Sequence, residues 1–473
     1  MLEKNSLDKE TLDKVREIDG FPIGDDEDII NLSDPPYYTA YPNPGIKDFI
    51  KEFGHPYDSN MDDYHREPFT VDVSEGKNDP IYNAHSYQTK IPPNAILPHI
   101  LHYTVPGDVV FDGFCGSGMV GVATAACKNL DSEFKKTLEL NNKIEFGQRS
   151  SILSDISTIA TSSSYIHNKK INQNIFYNDA IQILEKLEEE YGWMFETQHM
   201  IDNIPQFKID ITGKKIPHKG KIRFTVWSDI FSCPECSEEL VLWEIIYDKN
   251  GNPKKQFECN MCKKNLVRKD LIRVWGSVIS KITSEMIKVP KQIPVLIKYS
   301  IGSHFKVLNK TPDLEDLKVI KKYSEYEIVN WYPINEIPKG DKTKEPRNLN
   351  LNYVYQIFTK RNLLCLSFVF KKIMEIDSSE KSSLLAWFTS SHSRLHKFNT
   401  YLRQHNRHVG PLPGTLYISS TQAEISPMYF LKQKLKDFNK INHTSQQIIL
   451  STQSNTNLTN IPSSSIDYIF TDP

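Results

Sequence analysis

The sequence predicts an α/β fold whose core is a parallel, doubly wound sheet. Helix-like and strand-like segments alternate in the first half of the chain: a helix over 92–103, a strand over 109–111, a helix over 119–127 and a strand over 151–155. A third strand is expected over 174–179. Such alternation is typical of parallel sheets with helices packed on their faces.

Length and composition define the general class of the protein. A chain of 473 residues is long enough for two or three domains. Its 57 Lys and Arg nearly balance 59 Asp and Glu, so a nucleic-acid surface requires a local excess of positive charge. The first residues are charged, and no apolar run approaches the roughly 18 residues of a membrane span, so we expect a cytoplasmic protein without a membrane partner.

A glycine-rich loop follows the predicted strand over 109–111. Gly116-Ser117-Gly118, with Gly121 one turn later, fits a turn in which backbone N–H groups approach a ligand closely. The same spacing suits a dinucleotide site or a tight turn without a ligand. Asp112 at the strand end, with Phe114 and Cys115 in the loop, distinguishes it from the nicotinamide pattern.

Two further acidic residues are placed at predicted strand ends. Asp155 can accept hydrogen bonds from the two ribose hydroxyls of an adenosine ligand, or can cap the helix that follows. Asp179 could contact the adenine ring in the same way, but Asn-Asp after a strand is also ordinary turn chemistry.

Four of the seven cysteines form two Cys-x-x-Cys pairs. They are separated by 22 residues, a spacing typical of a structural zinc ribbon with the ligands Cys233, Cys236, Cys259 and Cys262. Four thiolates leave no position for a metal-bound water, so the Zn²⁺ is expected to fold the module and not to catalyse. The segment 205–275 around these pairs has 14 Lys and Arg against nine Asp and Glu.

The last residues form a strand-like segment that runs into Thr471-Asp472-Pro473. A carboxylate on Asp472 and the carbonyl of Pro473 could accept the hydrogens of an exocyclic amine, so that its lone pair turns toward a methyl donor. A complete Asp34-Pro35-Pro36-Tyr37 stands near the N-terminus. The Pro-rich stretch after it lacks the strands that should follow a catalytic motif, so we interpret it as a decoy or a substrate-side loop.

These motifs resemble those of the adenine-specific DNA methylases that contain a zinc ribbon, a branch of the N6-adenine/N4-cytosine amino-methyltransferases. The resemblance rests on the cofactor loop from Asp112 to Gly118, the cysteine pairs, and the terminal segment, which is similar to the start of an Asp-Pro-Pro-aromatic motif. It extends to Asn83–Pro93, Tyr191–Met194 and Trp227–Asp229. It implies a Rossmann-like class I methyltransferase fold that binds S-adenosylmethionine through Asp112, Phe114, Cys115, Gly116, Gly118, Asp155 and Asp179, with Asp472 and Pro473 as catalytic residues.

The resemblance also implies a domain organisation. An N-terminal extension (1–80) precedes the S-adenosylmethionine-binding half (81–200), the zinc-ribbon insertion (201–275), a target-recognition region (276–460) and the start of the catalytic half (461–473). The expected activity is methylation of adenine N6 in double-stranded DNA, in restriction-modification or defence. The stacking aromatic and later strands are absent after Pro473, so we expect a chain that is inactive or needs a second polypeptide. The alternatives are a non-catalytic DNA-binding or assembly subunit and an RNA methyltransferase.

Overall fold

The computed structural model describes residues 7–70, 80–87, 90–130, 144–279, 284–302, 306–439 and 447–471. The chain divides into two compact units. Unit 1 comprises Met1–Phe176 and Lys436–Pro473, and unit 2 comprises Tyr177–Leu435. Within the described ranges, no helix has the length and apolar character needed to cross a membrane.

The described residues form α-helices and β-strands that we number in chain order. The α-helices are α1 (Lys9–Asp13), α2 (Asp26–Leu32), α3 (Ile46–Phe53), α4 (Pro80–Ala84), α5 (Pro93–Tyr103), α6 (Met119–Ala126), α7 (Thr158–Asn168), α8 (Gln173–Tyr191), α9 (Leu242–Ile245), α10 (Leu314–Glu325), α11 (Lys344–Asn348), α12 (Lys360–Glu375), α13 (Lys381–Ser391) and α14 (Pro427–Phe438). The strands are β1 (Tyr38–Thr39), β2 (Val109–Asp112), β3 (Ser150–Asp155), β4 (Glu196–Gln198), β5 (Met200–Ile201), β6 (Ile204–Pro205), β7 (Phe207–Ile209), β8 (Lys215–Pro217), β9 (Lys219–Ser232), β10 (Glu239–Val241), β11 (Phe257–Glu258), β12 (Asn265–Leu266), β13 (Ile272–Arg273), β14 (Trp275–Ile279), β15 (Met286–Pro290), β16 (Gln292–Ser300), β17 (Leu308–Lys310), β18 (Thr400–Leu402), β19 (Arg407–Val409), β20 (Thr421–Ile425), β21 (Gln447–Thr452) and β22 (Tyr468–Ile469).

Unit 1 contains a five-stranded sheet in the order β1-β21-β3-β2-β22. Every neighbouring pair in it is parallel. The predicted strands at 109–111 and 151–155 correspond to β2 and β3, and the helices predicted on either side of β2 correspond to α5 and α6. The predicted parallel sheet of an α/β fold is therefore confirmed.

Helices cover both faces of this sheet. On one face, Phe111 and Ile152 pack with Ile449 and with Phe49 of α3 in a buried apolar cluster. On the other face, α6 lies so close to β3 that a Cβ on Gly121 would stand 2.8 Å from Leu153 Cδ1. Successive side chains of a strand point to opposite faces of the sheet. Ile152 therefore packs on the face that α3 covers, and Leu153 packs on the face that α6 covers.

The third strand predicted over 174–179 is wrong. Those residues begin the helix α8. Its buried side chains recur at helical and not at strand spacing: Phe176, Ala180, Ile183, Leu184, Leu187 and Tyr191. The strand that actually pairs with β3 on the side away from β2 is β21, which follows almost 300 residues later in the chain.

Unit 2 is built around the long strand β9. The main path of its sheet is β17-β16-β9-β20-β18-β19, and β4, β10 and β13 also pair with β9. On β20, Glu424 forms a buried ion pair with Arg361 of α12, 2.5 Å between Oε2 and Nη2. The same carboxylate oxygen accepts a hydrogen bond from Trp227 Nε1 at 2.7 Å, so α12 is fixed against the centre of the sheet.

Candidate functional site

The candidate ligand site of unit 1 is a pocket at the carboxyl ends of β2 and β22, which we call the strand-end pocket. After β2, the next strands along the chain, β3 and β21, add to one edge of β2, and the last strand, β22, adds to its other edge. The strand order therefore reverses direction at β2. Open α/β sheets bind ligands at such a reversal. The pocket is lined by Tyr87, Lys90, Ile91, Ile96, Asp112, Phe114, Cys115, Gly116, Ser117, Met119, Val120 and Phe470.

Two glycines give the loop after β2 its shape. Gly116 and Gly118 have φ angles of +48° and +76°, a left-handed conformation that favours glycine. A Cβ on Gly116 would stand 3.0 Å from the ring of Tyr87, and one on Gly118 would stand 2.6 Å from Asn168 Nδ2 and closer still to Ser164 Oγ. Both positions therefore require glycine for conformation and for space.

Most N–H groups of the loop are bonded within the protein. Phe114 N–H donates to Asp112 Oδ1 at 3.0 Å, Cys115 N–H to the carbonyl of Ser154 at 3.0 Å, and Gly118 N–H to the carbonyl of Cys115 at 2.7 Å. Further donors lie in the first turn of α6, where N–H groups have no partner within the helix. The predicted close approach of this backbone to a ligand stays a prediction.

Asp155 ends β3 and holds the loop in place. Its Oδ2 accepts from Gly116 N–H at 3.0 Å, and its Oδ1 accepts from Ser157 N–H at 2.9 Å just before α7. The bond to Ser157 N–H agrees with the interpretation that Asp155 caps the helix that follows, and the bond to Gly116 N–H is a contact that the sequence did not predict. Its contact with the ribose of a ligand stays a prediction.

The other loop residues differ in exposure. Asp112 is 3% exposed and lines the strand-end pocket, whereas the side chain of Phe114 is 52% exposed beside it. Burial raises the pKa of the Cys115 thiol well above its ordinary value, and Asp112 and Asp155 raise it further. Cys115 is thus a neutral, apolar wall of the pocket and not a thiolate nucleophile.

Several residues of this region were assigned no individual role from the sequence, although Tyr87 and Lys90 stand in the segment Asn83–Pro93 of the resemblance. Tyr87 faces Gly116, and burial raises the pKa of its phenol. Lys90 Nζ donates to the carbonyl of Tyr82 at 2.9 Å and lies 3.1 Å from His167 Nε2. Asn455 donates to the carbonyl of Gly113. Their neighbours are distant in the sequence, so a local pattern could identify only the spacing of the glycines themselves.

The structure places Asp179 away from any strand end. It lies on α8, in unit 2, and its Oδ2 accepts a hydrogen bond from Ser378 Oγ at 2.6 Å. The prediction that it contacts adenine depended on a strand over 174–179, and that strand does not exist. We therefore do not assign Asp179 to the cofactor site.

The last described strand, β22, lies beside the strand that leads into the glycine loop. β22 pairs with β2, and Phe470 N–H donates to the carbonyl of Phe111 at 3.1 Å. The Phe470 side chain lines the strand-end pocket together with the loop after β2. Asp472 and Pro473 lie outside the described residues, so their predicted catalytic role stays a prediction.

The Asp34-Pro35-Pro36-Tyr37 segment lies immediately before β1. The carboxylate of Asp34 accepts a hydrogen bond from the phenol of Tyr165 on α7, whose ring stacks on Tyr38 with centroids 4.9 Å apart. Asp34 is not among the residues that line the strand-end pocket. These contacts give the segment a structural role at the edge strand.

The four cysteines of the two Cys-x-x-Cys pairs come together in unit 2. Their Sγ atoms all lie within 4.8 Å of one another. Cys233 follows β9 and Cys259 follows β11, and each opens a turn of the same form: the N–H four residues later donates back to its carbonyl, at 3.0 Å from Ser237 and 3.1 Å from Lys263. Ser237 and Lys263 have φ angles of 60° and 59°, so the turns that contain the two Cys-x-x-Cys pairs have the same backbone geometry.

This cluster fits a tetrahedral zinc ion. Zinc–sulfur bonds of about 2.3 Å place the sulfurs of a tetrahedron about 3.8 Å apart. The Sγ separations are 3.7 Å for Cys233 and Cys262 and 3.6 Å for Cys236 and Cys259. Backbone N–H donation, chiefly from Cys262, lowers the pKa of Cys259, whereas at Cys236 backbone N–H donation from Glu238 is outweighed by burial and the neighbouring thiols, which raise its pKa.

Fold and candidate site together define a class: an α/β protein with a pocket at the strand-order reversal of a parallel sheet, and with a second unit that contains a four-cysteine cluster. A family model described as DNA methylase, that of the N6/N4 methyltransferases, matches residues 30–142. The matched segment contains the Asp34–Tyr37 motif and the loop after β2, and it is similar to that family. Comparisons with curated proteins and with solved structures gave no match.

Proposed function

We propose that this chain is an S-adenosylmethionine-dependent DNA methyltransferase that acts on adenine N6, with unit 1 as a Rossmann-like class I domain. The observation that carries the proposal is the strand-end pocket. It joins the glycine loop after β2 to Phe470 after β22, at the position where a parallel sheet binds its ligand. The similarity of residues 30–142 to DNA methylases supports the same activity.

The residues of the loop fit S-adenosylmethionine. Gly116 and Gly118 leave space that a Cβ would fill, and the start of α6 offers N–H groups suited to the carboxylate of the methionine part. Phe114 and Cys115 supply apolar surface, and Asp112 and Asp155 supply carboxylates near the loop for the polar groups of the cofactor. S-adenosylmethionine supplies the electrophilic methyl group when it is bound.

The proposed catalytic residues are Asp472 and Pro473. The Asp472 carboxylate and the Pro473 carbonyl would accept the two hydrogens of the adenine amino group, which leaves the nitrogen lone pair available for the methyl group. Adenine is preferred to cytosine because the motif begins with Asp, by analogy with the family that the chain resembles. Phe470, two residues earlier, already lies at the strand-end pocket.

The four-cysteine cluster is proposed to hold structural Zn²⁺. All four positions of the tetrahedron are taken by protein sulfurs, so the metal would fold the ribbon rather than take part in methyl transfer. Two of these cysteines are already part of an apolar cluster with Leu240, Phe257 and Leu266. The excess of Lys and Arg over Asp and Glu in the segment 205–275 supports a nucleic-acid partner, which we propose to be double-stranded DNA.

Two measurements test the proposal. Calorimetric titration should detect one S-adenosylmethionine per chain, and transfer of labelled methyl groups should yield N6-methyladenine in duplex DNA. Cofactor binding without any transfer would favour a non-catalytic assembly subunit, and transfer to RNA alone would favour an RNA methyltransferase. A role in restriction-modification or defence would appear as protection of methylated DNA from a cognate nuclease.

A further inference from the structure

A second cavity lies wholly within unit 2. It has a volume of about 490 Å³, within the 300–1,000 Å³ typical of small-molecule sites. The hairpin β14–β15 contributes Val278 and Val289 to its wall, and Ile418 lies before β20. Aromatic surface comes from Tyr332, Tyr355 and Phe358. An apolar space of this size is large enough for a planar ligand of about ten to fifteen non-hydrogen atoms, on the order of a fused ring system.

An amine stands at the wall of this cavity. Lys397 Nζ donates one hydrogen bond, to the carbonyl of Gln356 at 2.8 Å. A protonated amine has three donors, and the described residues provide no other hydrogen-bond acceptor for Nζ. Burial lowers the pKa of Lys397 to about 8, although Glu424 acts in the opposite direction. An anion in the cavity that accepts hydrogen bonds from Nζ would therefore stabilise the protonated form of Lys397.

An amide side chain also belongs to the lining. Gln422 lies on β20, where its backbone pairs with Trp227 of β9, and its residue is only 6% exposed. Gln422 lines the cavity, and its side-chain amide forms no hydrogen bond with another described side chain or backbone group. An amide carries both donors and an acceptor. A ligand in the cavity with polar atoms facing Gln422 could therefore bond with it.

The charge of the lining identifies the sign of the ligand. Lys360 and Lys397 are the charged residues of the described lining, which contains no Asp or Glu. Asp229 contacts the lining residue Gln292, but its carboxylate is already bonded to Gln292 Nε2 at 2.7 Å and paired with Arg273. Glu424 also acts on Lys397, but it does not line the cavity and its carboxylate is paired with Arg361. The described lining thus offers positive charge without an acidic residue of its own.

We propose that the cavity of unit 2 is a binding site for a small amphiphilic organic anion, an aromatic carboxylate, with its ring among Tyr332, Tyr355 and Phe358 and its carboxylate on Lys397 and Gln422. Aromatic side chains bind planar rings, and a carboxylate can accept from the amine and from the amide together. The site is separate from the strand-end pocket of unit 1 and does not depend on the proposed methyl transfer. It would give the chain a small-molecule ligand in addition to its cofactor.

The experiment is calorimetric titration of the full chain with 2-naphthoate, and with the neutral analogue 2-naphthalenemethanol. We expect one saturable 2-naphthoate site per chain and at least tenfold weaker binding of the neutral analogue. Lys397→Met, which keeps the length of the side chain, should weaken 2-naphthoate binding at least tenfold. Lys371→Met, at a half-exposed position on α12, is the matched control and should bind as the wild type does.

Two outcomes would overturn the proposal: no saturable binding of 2-naphthoate to the wild type, or equal affinity in Lys397→Met and wild type. If Lys397→Met does not fold, Gln422→Leu serves in its place, and it should weaken binding several-fold. A second measurement is modification of Lys397 by an amine-acetylating reagent, read by mass spectrometry. 2-Naphthoate should protect Lys397 and leave Lys371 equally modified, and equal protection of both lysines would contradict the assigned site.

Discussion

Replacing Gly118 by alanine tests the geometry of the cofactor loop. Gly118 precedes α6 with φ of +76°, and Asn168 Nδ2 donates to its carbonyl at 2.9 Å. An added Cβ would lie 2.6 Å from that same Nδ2 and would overlap Ser164 Oγ. The substitution therefore strains the backbone and displaces two side chains of α7 at once.

The expected destabilisation follows from these contacts. A left-handed conformation costs an L-residue about 1–2 kcal/mol. Overpacking in a close-packed site costs a further 1–3 kcal/mol or so, and loss of the Asn168 hydrogen bond about 1 kcal/mol. We expect unit 1 to lose roughly 3 kcal/mol or more and S-adenosylmethionine binding to fall about a hundredfold, since the loop and the start of α6 move together.

Thermal unfolding with and without S-adenosylmethionine, together with calorimetric titration, measures both effects. Gly213→Ala is the matched control, because Gly213 has φ of +80° but nothing within 4 Å of an added Cβ. Gly213→Ala should lower the free energy of unfolding only by the cost of the left-handed conformation, about 1 kcal/mol, and should leave cofactor binding unchanged. The reasoning is refuted if Gly118→Ala and Gly213→Ala shift the unfolding temperature equally and bind the cofactor equally well.

Three further predictions concern other parts of the chain. Asp155→Asn keeps one acceptor oxygen where two backbone N–H groups now bond, so we expect about tenfold weaker S-adenosylmethionine binding by calorimetry, with an unchanged circular dichroism spectrum; full affinity would exclude Asp155 from holding the loop. Cys259→Ser should reduce zinc from one ion per chain to none by metal analysis, whereas Cys365→Ser, buried on α12, should retain it; a metal-free wild type purified under reducing conditions would contradict the zinc site. Arg361→Met leaves Glu424 buried without its partner and should lower the free energy of unfolding in urea by about 3–5 kcal/mol, with partial recovery when Glu424→Gln is added; additive effects of the two changes would argue against the ion pair.

The parts of the fold that the sequence predicted are those with local signals. The strand before the glycine loop, the loop itself and α6 follow one another within about twenty residues, and each is specified by its own apolar pattern or by glycine. The four-cysteine cluster was predicted for the same reason, because the spacing within each Cys-x-x-Cys pair is a local signal. The positions of Asp112 and Asp155 followed from the strands that they end.

What the sequence missed depends on long-range pairing. β21 becomes the neighbour of β3 after the whole of unit 2 has intervened, and β1, only two residues long, joins the sheet through Tyr38 beside Leu450. The segment over 174–179 has strand-like composition, but burial on α8 continues at helical spacing and overrides it. Tyr87 reaches Gly116 through a fold-level contact that no local pattern reveals.

The central claim is that the strand-end pocket binds S-adenosylmethionine. Calorimetric titration of the full chain should show one bound cofactor, and Gly116→Val should abolish that binding, because a branched side chain at φ of +48° would push against Tyr87, 3.0 Å from the added Cβ. Gly213→Val should bind as the wild type does. Absence of cofactor binding by the wild type, or undiminished binding by Gly116→Val, would contradict the account.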